Sequence, residues 1–176
     1  EENDSEKLIF EYLDNLLEKT ADKLLPEDQV SNWKFDNLDK ALSQMLGSSP
    51  DFNLIERNNL SFGKLMDYLN DYYQKFYVEK FNKLKERKAE LERQIAIQVM
   101  DAAWKRHLQN IDSLRSNIGL RAYAQRNPIN EFKKESFYLF DSMIEAFKDD
   151  IVKILFNIKI QTMSKEEFEQ RKNQNK

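Results

Sequence analysis

The chain has 176 residues, with 28 Lys or Arg against 31 Asp or Glu, for a net charge of −3 at pH 7. Three glycines and three prolines argue against a turn-rich all-β fold, and the absence of cysteine removes disulfides and thiolate metal sites. Hydrophobic residues at 40% and aromatic residues at 12% are too many for a disordered chain. The spacing of Ile9, Leu13, Leu17, Ala21 and Leu24 predicts a first helix that Pro26 stops. A connection holding Trp33 leads to a shorter helix with Leu38, Leu42 and Met45 inward, ended by Gly47-Ser48-Ser49-Pro50. Residues 51–60 are mixed and receive no assignment.

A third helix starts near Phe62 and carries two stripes, Leu65, Leu69, Tyr72 and Phe76 beside Tyr73, Tyr77, Phe81 and Leu84. Two stripes mean cover on more than one side, as in a bundle, and at helical spacing the aromatic rings read as core. Beyond the charged run 83–88, Ile97, Met100, Trp104, Leu108, Ile111 and Ile118 keep one face, with Leu114 filling the gap. Periodicity leaves open whether residues 62–118 form one helix or two. Gly119 and Asn127-Pro128 bracket the next break, since Gly suits a helix end and Asn then Pro suits a helix start. A last long helix lines up Ile129, Phe132, Phe137, Phe140, Ile144, Phe147, Ile151, Leu155 and Ile158 on one side. The short loop between the two long helices predicts an antiparallel hairpin. The expected fold is all-α, a small helical unit beside that hairpin, with residues from 161 onward read as a polar tail.

No stretch approaches the roughly 20 apolar residues of a membrane span. The acidic start lacks the order of a signal peptide, and Glu1 in place of Met points to a piece of a longer chain. Charge is uneven: residues 1–82 carry 9 basic and 17 acidic groups, residues 83–126 carry 10 and 5, and the remainder is balanced. The basic middle includes Lys83, Lys85, Arg87, Lys88, Arg93, Lys105, Arg106, Arg115, Arg121 and Arg126. Such a stretch faces an anionic partner, nucleic acid or lipid headgroups, or else is simply the wet side of a helix. An acidic chain without a nucleic-acid module signature argues against nucleic acid.

Catalysis finds little support. Gly47, Gly63 and Gly119 lie far apart, so there is no phosphate loop and no nucleotide-binding motif in this chain. The lone His107 makes no His-rich metal site. As a general base it needs Asp101 or Asp112 to orient it, and the competing reading is a packing or capping histidine. The pairs Glu166-Glu167 and Asp149-Asp150 point apart on consecutive helical positions. No cofactor and no metal are expected in this chain.

Residues 100–140 are more specific. They hold Trp104-Lys105-Arg106-His107-Leu108, then Asp112-Ser113-Leu114-Arg115, then Ile118-Gly119-Leu120-Arg121-Ala122-Tyr123-Ala124-Gln125-Arg126-Asn127-Pro128, then Glu131-Phe132-Lys133-Lys134-Glu135-Ser136-Phe137. In order and spacing these elements closely resemble the C-terminal part of the SecA preprotein translocase ATPases. Asn32-Trp33 and the acidic first helix give a weaker match to that family's helical wing. Ala122 departs from the family, which usually has Gly between Arg and Tyr.

The resemblance implies a division of the chain. Residues 1–84 would be the helical wing domain, 85–160 the two-helix finger of the helical scaffold, and 161–176 the start of a C-terminal linker. It implies a non-catalytic part of a motor whose ATP- and Mg-binding domains lie upstream, working at the cytoplasmic face of the inner membrane. Implied partners are the SecY channel, the preprotein and the motor domains. The finger loop Leu120, Arg121, Ala122, Tyr123, Ala124, Gln125 and Arg126 would touch channel and polypeptide, with Tyr123 as the gripping residue; otherwise Tyr123 folds back onto the hairpin. Trp104, placed on the inward face by its spacing, and His107 would form the contact that restrains the motor; otherwise Trp104 is hairpin core. The alternative function is a stand-alone helical module that binds an acidic partner or anionic lipid.

Overall fold

The computed structural model describes residues 2–25, 30–56, 59–84, 87–121 and 127–160. Among the described residues five α-helices follow in order: α1 (Glu2–Leu24), α2 (Phe35–Leu46), α3 (Phe62–Phe81), α4 (Arg87–Arg121) and α5 (Pro128–Asn157). No strand occurs among the described residues, so the fold is all-α.

Several boundaries have plain chemical causes. Gly47 closes α2 at φ 72°, a left-handed cap that a residue with a Cβ resists, and its N–H donates to Ser43 O at 3.0 Å. Ser61 Oγ accepts from the N–H of Lys64 to cap α3. Asn127 Oδ1 accepts from the N–H of Ile129 with Pro128 at the first position, the start predicted for α5. Residues 51–60 contain a 3-10 turn, Phe52–Leu54, that buries Phe52 in a stack on Phe35 at 5.1 Å.

Residues 62–118 form two helices. α3 ends at Phe81, a 3-10 turn covers Asn82–Leu84, and α4 begins at Arg87. The expected break at Gly119 does not occur: α4 continues through it to Arg121. One helical glycine costs only about 1 kcal/mol against alanine, too little to end a long packed helix.

The main core joins α1, α2 and α3 to the roots of the hairpin helices. Leu13, Leu17, Leu38, Leu42, Leu46, Leu65, Leu69, Tyr73, Tyr77 and Phe81 meet Ile95 and Val99 of α4 and Ile151, Val152, Leu155 and Phe156 of α5. Phe156 is its hub, with ring centroids 5.8 Å from Tyr73, 6.1 Å from Phe76 and 5.4 Å from Tyr77. Each such side chain contributes about 1.5–3 kcal/mol when fully covered.

The hairpin is antiparallel. Ala96 shares one groove with Phe147 and Ile151, whereas His107, further along α4, meets Phe140, earlier on α5. Away from the root the seam is thin, with Ala103, His107, Leu114 and Met143 as its buried residues.

The predicted inward stripe of α4 is corrected. Leu114 is buried as predicted and Met100, Ile111 and Ile118 are half-buried, but Ile97, Trp104 and Leu108 are exposed at 60%, 44% and 48%, whereas Glu92, Ile95, Val99, Ala103 and His107 are buried. The helix is turned by about one residue, or about 100°, from the expected setting. Small Ala103 and flat His107 admit α5 closely, which bulky Trp104 and Leu108 would not. On α5, Ile151 and Leu155 are buried as predicted, but Ile129, Phe137 and Phe140 are exposed. Met143, Val152 and Phe156 are buried in addition.

Candidate functional site

The outer half of the hairpin carries the residues singled out in the sequence. Leu120 and Arg121 lie on the last turn of α4. Ala122, Tyr123, Ala124, Gln125 and Arg126 lie outside the described residues, as does the tail from 161 onward.

Trp104 and His107 are neighbours with different surroundings. His107 is 7% exposed, and its ring lies 5.5 Å from Trp104 and 5.8 Å from Phe140. Trp104 of α4 and Phe140 of α5 thus both lie against one buried imidazole. Trp104 is neither inward nor hairpin core: it stands on the outer flank. Leu108 follows it one turn along α4, and Phe137 lies one turn from Phe140 on α5, 66% exposed and edge-on to Tyr138 at 6.2 Å. These are large apolar side chains exposed on the outer half of the hairpin.

The chemistry of His107 is that of a packed residue. Its Nδ1 is buried without a hydrogen-bond partner, and Asp101 is occupied by Lys105 at 2.6 Å. A general base held by a carboxylate is therefore not assembled here. Among the described residues no group of three His, Asp or Glu is placed to hold a metal ion. Gly47 caps α2, and Gly63 sits in the first turn of α3.

The basic middle is partly neutralised within the chain. Arg93 pairs with Glu90 at 2.8 Å, Lys105 with Asp101 at 2.6 Å, and Lys88 with Glu6. Arg93 and Lys105 thus sit in exposed pairs along their own helix, the pattern of a solvated face.

Sequence reasoning missed a buried polar cluster at the root. The Tyr77 hydroxyl donates to Glu92 Oε1 at 2.5 Å and Ser5 Oγ donates to Glu92 Oε2 at 3.0 Å. Burial, then the bond to Glu92, pushes the Tyr77 hydroxyl pKa far up, so it stays a donor. No local motif announces such a cluster, because its members are up to 87 positions apart.

Sequence comparison supplies the family. The SecA Wing and Scaffold domain family matches residues 1–159. The chain is 38% identical over 162 residues to the protein translocase subunit SecA of Pelagibacter ubique, covering 89% of this chain and 19% of that relative. It is 35% identical to the subunit of Helicobacter hepaticus, covering 82% of this chain and 17% of that relative. Against the subunit of Aquifex aeolicus it is 34% identical, covering 92% and 16%. The chain therefore spans less than a fifth of the length of these relatives. Matched over nearly its whole length, it belongs to the SecA wing and scaffold domain family.

Proposed function

We propose that this chain is the non-catalytic wing-and-finger part of a motor that drives preproteins through the SecY channel. Residues 1–84 act as the wing, 85–160 as the two-helix finger and 161–176 as the start of a linker. ATP and Mg belong to motor domains of the full-length protein. The assembly works in the cytoplasm and at the cytoplasmic face of the inner membrane. The loop from Leu120 to Arg126 meets the channel mouth and the moving polypeptide, and Tyr123 grips the latter through an apolar ring and a hydroxyl with few rotors to freeze.

The observation that carries this reading is the set of exposed apolar side chains on a hairpin whose root is locked into a core. Trp104, Leu108, Phe137 and Phe140 are all exposed on helices whose roots are packed into the main core. Such side chains fit a surface made to be covered by the motor domains. Trp104 makes the contact that restrains ATP turnover, and His107 supports it from beneath. The alternative, a free-standing module for an acidic partner or anionic lipid, needs free cations, and Arg93 and Lys105 are spent on Glu90 and Asp101.

Trp104→Ala in the full-length protein tests the reading. Basal ATPase is expected to rise several-fold without preprotein or channel, while the hairpin stays folded. An unchanged basal rate would refute the assigned contact.

A further inference from the structure

The break between α3 and α4 looks like a hinge, since hinges use the ends of elements. The side chains around it argue otherwise. Both carboxylate oxygens of Glu92 are taken: Oε1 accepts from the Tyr77 hydroxyl at 2.5 Å and Oε2 from Ser5 Oγ at 3.0 Å. Lys88 Nζ lies 3.7 Å from Glu92 Oε1, bonds Glu6, and sits 5.0 Å from the centre of the Tyr77 ring. Glu92 is 5% exposed. Thus α1, α3 and the first turns of α4 are tied at one buried carboxylate that spans the break.

We propose that Glu92 is the keystone of a latch that makes the three-helix unit and the root of the hairpin move as one body. Hydrogen bonds are directional, so a modest rotation of α4 against α1 and α3 breaks both bonds to Glu92. A buried carboxylate stripped of its partners is strongly disfavoured, so the joint resists small rotations and opens only all at once. Ile95 and Val99 on one side and Ile151 and Leu155 on the other add apolar cover to the same joint. Compliance is displaced outward, to the stretch around Ala103, His107 and Met143. There the seam is thin, and the buried His107 Nδ1 has no hydrogen-bond partner. A displacement of the wing is then delivered undiminished to the base of the finger, and the finger bends in its outer half. This inference rests on the joint alone and holds whatever the tip contacts.

The chain lacks cysteine, so two introduced cysteines are unique labelling sites. Lys40 on α2 and Gln98 on α4 are both exposed, one on each side of the joint. Spin labels at Lys40→Cys and Gln98→Cys should give a single narrow distance distribution in the otherwise unchanged chain. Glu92→Gln should add a second distance populated at about 10% or more. Tyr77→Phe keeps the ring and removes one bond to the carboxylate, so it should raise the open fraction by roughly ten-fold, and it serves alone where Glu92→Gln does not fold. A broad distribution in the unchanged chain, or a Tyr77→Phe distribution indistinguishable from it, would overturn the latch.

Discussion

Phe137 and Phe156 lie on the same helix, and helical spacing alone does not distinguish their environments. Phe156 is 1% exposed and packs among the rings of Tyr73, Phe76 and Tyr77, whereas Phe137 is 66% exposed. Phe156→Ala removes a fully covered ring and leaves a cavity between α3 and α5, which costs about 3–5 kcal/mol. The three ring contacts place the loss toward the upper end. With an unfolding entropy of about 2.1 cal/mol/K per residue, that loss lowers the melting temperature by about 8–14 °C. Phe137→Ala removes the same atoms from a side chain already in water and should cost no more than about 0.5 kcal/mol. Thermal and urea unfolding of both variants, followed by far-UV circular dichroism, gives the comparison directly. Equal losses, or a loss below about 1 kcal/mol for Phe156→Ala, would refute the placement of the core at the hairpin root.

Two further outcomes follow from local geometry. Gly47→Ala places a Cβ at a positive φ and 2.9 Å from Asn157 Oδ1, so it should lower stability by about 1–2 kcal/mol in the same unfolding assay. Glu145 is held by hydrogen bonds from Lys148 and then Lys19, which lower its pKa from 4.5 to about 2. A depressed carboxylate stabilises the fold above its unfolded pKa and loses that contribution as pH falls through the folded one. Glu145→Gln should therefore cost something at pH 7 and nothing below pH 2, the difference fading between pH 4.5 and 2. Because the groups are largely exposed, the cost should not exceed about 1 kcal/mol and should shrink in high salt.

How much of this was legible in the sequence depends on what each residue type reports. The first three helices were readable because Leu13, Leu17, Leu38, Leu42, Leu65 and Leu69 sit on faces buried against one shared core, so apolar spacing and burial coincide. Gly47 was readable because no other residue takes that cap so cheaply. The facing of α4 was not readable. Ile95, Val99, Ala103 and His107 lie beside Ile97, Trp104 and Leu108, and large apolar residues mark whichever face is covered, whether by this chain or by another. Here the larger residues took the outer face, so the stripe with more apolar area was the wrong one. The Glu92 cluster was hidden for another reason: Ser5, Tyr77 and Glu92 meet only after three helices have packed. Leu120 to Arg126 stand out by resemblance alone, since a single tyrosine has no periodicity to read.

The function proposed for this chain turns on Tyr123 gripping the moving polypeptide. Tyr123→Ala in the full-length protein tests it most directly, by measuring preprotein translocation and basal ATPase on the same preparation. The account predicts that translocation is crippled, that folding and basal ATPase are largely intact, and that Tyr123→Phe restores most of the rate. Preproteins moving at the normal rate with alanine at this position would contradict it.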